Sequence, residues 1–120
     1  MNLQLLYFSP TGTTRNIIAA VSAGFSAEQI THFDLTLTGE QAEVVFLDGV
    51  ALIAIPVYAG RVPEVCLQRL SGFSARGIPA VLIALYGNRE YEDALVELRD
   101  VATTAGFSVS AAGAFDGEHS

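Results

Sequence analysis

The segment Ser9-Pro10-Thr11-Gly12-Thr13-Thr14 gathers one serine and three threonines around a glycine. Hydroxyl groups can donate to an anion, and Gly12 lets the backbone come close to one. A helix opening directly after the loop adds amide donors and the positive end of its dipole. Ser9, Thr11, Gly12, Thr13 and Thr14 are therefore candidate phosphate-binding residues, while Pro10 removes one amide donor. No Lys follows the glycine as in a Walker A loop, and the GxGxxG spacing of dinucleotide binders is missing. The same six residues also suit an ordinary Ser/Thr-capped turn from strand to helix, and the loop alone does not separate the two readings.

Two later loops carry aromatics. Pro56-Val57-Tyr58-Ala59-Gly60-Arg61-Val62-Pro63 has a tyrosine between two prolines, and Tyr86-Gly87-Asn88-Arg89-Glu90-Tyr91-Glu92-Asp93 places tyrosines around a small-polar turn. A tyrosine at the carboxyl end of a strand can lie flat on an aromatic ligand. It can equally be a packing residue half exposed to solvent.

The elements that must position these loops are readable from hydropathy. Leu3–Phe8, Val50–Ile55 and Pro79–Leu85 are nearly continuous apolar runs, the pattern of strands buried on both faces of a parallel sheet. Gln29–Leu35 and Phe107–Ala112 are more mixed and suit sheet edges, the second with Phe107, Val109 and Ala111 alternating against Ser108, Ser110 and Ala112. Between them, Ile17, Ile18, Val21 and Phe25, then Val65, Leu67 and Leu70, then Ala94, Leu95, Leu98, Val101 and Ala102 each form a stripe at helical spacing. Thr38–Phe46 has a weaker pattern for a short helix, with Gly39 against it.

Alternating strands and helices predict an α/β fold, an open doubly wound parallel sheet of order 2-1-3-4-5 with ligands beyond the strands' carboxyl ends. The three loops follow strands one, three and four, which are neighbours in that order and share one rim. A phosphate cradle beside two aromatics is shaped for a flavin. The sequence stops soon after the fifth strand, so the last helix of such a sheet is expected to be missing and one sheet face to be partly bare. A second domain, a partner or a second copy of the chain would each cover it.

The 120 residues suit one domain and are 51% apolar, as expected of a folded chain. Thirteen acidic residues against six arginines give a formal charge of −7, which disfavours nucleic acid and anionic membrane as partners and favours a basic one, or simply keeps the protein soluble. With one cysteine there is no internal disulfide and no CxxC for zinc or an iron–sulfur cluster. No basic leader and no run of ~20 apolar residues is present, so the expectation is a cytoplasmic protein.

Ser-x-Thr-Gly-x-Thr at Ser9–Thr14 resembles the phosphate loop of flavodoxins, with Tyr58 and Gly87 to Tyr91 falling at their two isoalloxazine loops. Pro56-Val57-Tyr58 with Gly60-Arg61-Val62-Pro63, and Tyr86-Gly87-Asn88-Arg89 with Tyr91-Glu92-Asp93-Ala94-Leu95, are similar to the flavodoxin domain of bacterial flavodoxin–ferredoxin fusion proteins. That resemblance covers nearly the whole chain and implies an N-terminal flavodoxin-like domain with FMN as cofactor, serving electron transfer to a redox protein or an attached iron–sulfur domain. It implies that Ser9, Thr11, Gly12, Thr13 and Thr14 hold the phosphate and that Tyr58 and Tyr91 flank the ring. Ala59, Gly60, Gly87 and Asn88 would supply main-chain contacts, Ala59 replacing a glycine common in that group. Arg61 and Arg89 are further candidates near the ring. A flavin-dependent NAD(P)H or quinone oxidoreductase ranks second, though no inserted loop shapes a substrate pocket, and a non-redox module that kept the phosphate loop ranks third.

Cys66 reads as a core residue of the second helix, His32 and His119 as solvated. Asp34 and Asp48 lack the companion acids and Lys of a receiver-domain pocket.

Overall fold

Aliphatic side chains on both faces of a ribbon can only be satisfied by a sheet covered on both sides. The computed structural model describes residues 1–36, 44–45, 48–58, 61–86 and 92–116. In chain order these form β1 (Asn2–Tyr7), α1 (Thr13–Ser22), β2 (Gln29–Asp34), β3 (Val44–Val45), β4 (Val50–Val57), α2 (Glu64–Leu70), β5 (Phe73–Ser74), β6 (Pro79–Tyr86), α3 (Glu92–Thr104) and β7 (Ser108–Asp116). Five strands make one parallel sheet in the order β2-β1-β4-β6-β7. Counting those five alone, this is the expected order 2-1-3-4-5, with the two mixed strands at the edges.

Each apolar stripe lands on the sheet. Leu6, Ile53, Ile55, Ala80, Leu82 and Ala84 pack with Cys66 and Leu70 of α2 and with Ala94, Leu98 and Ala102 of α3. On the other face Leu3, Leu5, Tyr7, Leu52, Ala54, Ile83 and Leu85 pack with Ile18 of α1. Ile30 beside Leu3 and Phe115 beside Leu85 share that second face and stay 44% exposed. Among the described residues α1 is the one helix on it.

Three details depart from the sequence reading. Val44–Val45 are extended and pair in parallel with β5 as a separate two-stranded sheet, where a short helix over Thr38–Phe46 was the expectation. Two adjacent β-branched residues favour the pleated conformation; the remainder of that stretch lies outside the described residues. In β7 the alternation slips, because Val109 sits beside Ala80 but Ala111 beside Val81. Ser110 is thus the extra residue of a bulge, and Val109 and Ala111 face opposite sides of the sheet rather than one. Finally, β4 runs on through Pro56 to Val57. Ala54 turns its carbonyl to β1, accepting from Phe8 N–H at 3.2 Å, so Pro56, two residues on, turns its missing donor to the same side, past the last residue of β1. The ladder loses no bond there.

Leu82 is fully buried between β6's neighbours and α3, so Leu82→Ala is expected to lower stability by about 2–5 kcal/mol, read as a lower urea midpoint with unchanged slope. Cys66 is 1% exposed, and burial pushes its thiol from an ordinary 9.0 up to about 12, the Arg69 guanidinium pulling back only part of the way. The folded state therefore keeps a proton that the unfolded chain releases above 9.0. The resulting stability is present in full below that pH and is lost as pH climbs towards about 12. Cys66→Ala should flatten this alkaline decline, and native Cys66 should resist iodoacetamide until urea unfolds the chain.

Candidate functional site

The central strands end at different heights. Tyr7, the last residue of β1, is level with Ala54 on β4, while β4 continues to Val57, level with Tyr86 on β6. Three further residues at ~3.3 Å each raise the ends of β4 and β6 about 10 Å above the end of β1. The Ser9 loop opens on the lower step and the Tyr58 loop on the upper one.

On the lower step the chain leaves β1 through Ser9 to Gly12, whose amide lies 3.4 Å from the Ser9 carbonyl, and enters α1 at Thr13. Gly12 has φ 88, a left-handed conformation that a side chain disfavours. A Cβ built there would meet nothing within 4 Å, so open space faces the loop at that point. The hydroxyls of Thr11 and Thr13 converge to 3.3 Å, while Thr14 is buried. The opening amides of a helix have no acceptor inside it; that of Arg15 donates to Ser9 Oγ at 3.0 Å. Ser9 is itself held, its N–H donating to Thr36 Oγ1 at 2.6 Å and the Thr36 N–H to Asp34 Oδ1 at 2.9 Å. Thus the end of β2 braces the loop that follows β1. Neither Thr36 nor Asp34 was singled out for this part; the Asp-x-Thr spacing after an edge strand, which favours an Asx-turn, is the signal that could have found them.

On the upper step Tyr58 N–H donates to the Arg61 carbonyl and Arg61 N–H to the Tyr58 carbonyl, both at 2.9 Å. This closed pair makes a tight hairpin, and its tyrosine is 53% exposed. Arg61 reaches α3, where Glu97 Oε2 accepts from its Nη2 at 3.0 Å. Ala59, Gly60, Gly87, Asn88 and Tyr91 of the expected site, and Arg89, lie outside the described residues. Behind the lower step, Tyr7 OH and His32 Nδ1 share a hydrogen bond of 3.2 Å. Burial raises the Tyr7 phenol above 10.0, Arg15 opposing and Asp34 adding to the shift, so it stays protonated at neutral pH. Among the described residues no group of three His, Cys, Asp or Glu could hold a metal ion, and no helix is long and apolar enough to cross a membrane.

No protein-family model matches the sequence, and no curated protein matches it. Solved structures do. A flavodoxin from Fusobacterium nucleatum bound to flavin mononucleotide superposes with a TM-score of 0.65 at 16% identity, over 90% of this chain and 68% of that one. A flavoprotein from Lactobacillus acidophilus in complex with FMN matches with a TM-score of 0.62 at 12% identity, over 94% and 92%. The flavodiiron core of Flv1 from Synechocystis gives 0.65 at 16% identity over 97% of this chain, which spans 31% of that longer protein. The five-stranded parallel sheet with helices on both faces is a flavodoxin-like fold.

Ser9→Ala should cost about 1 kcal/mol, because the Arg15 amide loses its acceptor at the helix start, and should speed amide exchange in the first turn of α1. Thr36→Val leaves the Ser9 amide without a partner and should cost about 1–3 kcal/mol. The double variant should be less damaged than the sum, since both changes loosen one brace; urea unfolding of the set reads the coupling.

Proposed function

We propose that this chain holds one FMN across the stepped rim and works as an electron carrier. The observation that carries this reading is the step itself. The hydroxyl-rich loop follows a strand that ends about 10 Å lower than the strand leading to the exposed tyrosine, an offset that suits a phosphate joined through a polyol chain to a planar ring. The donor set fits the group: the Gly12 conformation leaves open space where a Cβ would project, and two threonine hydroxyls converge beside it. The fold shared with the FMN-bound flavodoxin of Fusobacterium nucleatum supports the same ligand.

In this reading the α1 dipole, Gly12 and the hydroxyls of Ser9, Thr11, Thr13 and Thr14 bind the phosphate without a lysine. Tyr58 and Tyr91 flank the ring, and Ala59, Gly60, Gly87 and Asn88 give it main-chain contacts. The flavin, when bound, supplies the one- and two-electron chemistry. Tyr58 keeps water from one ring face, and the formal charge of −7 makes added negative charge near the rim less favourable, holding the potential low. The same charge suits docking of a basic redox protein, or transfer to an attached iron–sulfur domain.

Titration of flavin-free protein with FMN should quench its fluorescence at one equivalent, with riboflavin, which lacks the phosphate, binding more weakly. Tyr58→Ala should weaken FMN by about 2- to 10-fold, the loss of ~0.5–1.5 kcal/mol of aromatic stacking, while the melting temperature of the flavin-free protein stays put. Absence of quenching, or riboflavin binding as tightly as FMN, would sink the assignment.

A further inference from the structure

We propose that Glu97 is a positioning residue, tying the Tyr58 hairpin to α3 through Arg61 and so setting where the Tyr58 ring stands. The flavin half of this proposal rests on the FMN reading above. Among the described residues the Arg61–Glu97 contact is the one ion pair between two side chains. Its partners are unequal: the Arg61 side chain is 73% exposed and that of Glu97 26%. Glu97 Oε1 is buried and has no hydrogen-bond partner among the described residues. A carboxylate with little water around it has less competing hydration, and holds a cation more firmly than a fully exposed one does. Arg61 leaves the hairpin surface and reaches the other oxygen, Oε2, of this carboxylate.

That pull is transmitted. Arg61 is bonded to Tyr58 through both its backbone N–H and its C=O, so a hold on the Arg61 side chain that restrains the Arg61 backbone restrains the Tyr58 backbone with it. Tyr91 directly precedes α3, which starts at Glu92, so the helix that receives Arg61 is also the one into which the second tyrosine loop leads. One ion pair therefore ties the Tyr58 hairpin to the helix that follows Tyr91 in the chain. Its charge balance has a second effect: with Glu97 engaged, Arg61 is neutralised locally and does not act as a free cation beside the ring.

The test uses the full chain, with and without FMN. Glu97→Gln keeps the shape and removes the charge. In the flavin-free protein it should speed hydrogen exchange of the Tyr58 and Arg61 amides roughly two- to fivefold, the scale of a partly exposed ion pair, and Arg61→Gln should do the same from the exposed side. With FMN, both variants should bind roughly two- to fivefold more weakly and show a raised midpoint potential where Arg61 is left as an unpaired cation, in Glu97→Gln only. The charge swap R61E/E97R should recover exchange protection and FMN affinity to within about twofold, which loss of helix packing would not allow. Unchanged exchange in both single variants overturns the tether. Faster exchange with undiminished FMN affinity overturns the positioning role. If the wild-type chain takes up no FMN while its exchange still responds to Glu97→Gln, the FMN reading and the flavin half of this proposal fall and the tether stands.

Discussion

The rim is governed by a mismatch in length between neighbouring parallel strands. β1 hands its last ladder position to Ala54 of β4 and then leaves the sheet, whereas β4 and β6 stay paired up to Val57 and Tyr86. Hydrogen bonding between parallel strands is evenly spaced and slanted, so once the register is set by the paired, buried Leu5 and Leu52 and by the half-buried Val81 beside Leu52, the heights of the loops are set too. A slip of one residue would turn the apolar sets of β1 and β4 away from their helices. The core and the site therefore depend on the same register.

Around this frame the polar contacts work as braces. Ser9 is tied to Thr36, Thr36 to Asp34 and Arg15 to Ser9, a chain that couples the ends of β1 and β2 to the first turn of α1. On the upper step the bracing is electrostatic and runs from Arg61 to Glu97. In the FMN reading proposed above, the two steps differ in kind because their tasks differ. A phosphate site needs amides and hydroxyls held in a fixed direction, which short backbone bonds provide. A stacking loop needs its aromatic exposed, and only a long side chain reaching elsewhere can anchor it without covering it.

Most of the sheet was legible in the sequence because strands buried on both faces leave an unmistakable apolar record, as in Val50–Ile55 and Pro79–Leu85. The junction at Ser9 to Thr14 was legible as a strand-to-helix loop, since Pro10 and Gly12 interrupt the apolar run before the helical stripe begins. What escaped notice was non-local. Ser110 becomes an extra residue only through its pairing with β6, and nothing in Ser108-Val109-Ser110-Ala111 marks which residue will be squeezed out. Val44–Val45 find their partner at Phe73–Ser74, a contact between segments far apart in the chain. Glu97 lies on the stripe side of a helix among ordinary surface acids, and its link to Arg61 is visible only once both have been placed.

Pro56 has a further meaning in this arrangement. Above the point where β1 departs, one side of β4 is in effect a short free edge, and unpaired strand edges invite strands from other molecules. The residue whose donor would face that gap is the one residue type that has none. The gap above the end of β1 is thereby made a poorer template for an intruding strand, a property that an FMN site of the kind proposed above would share.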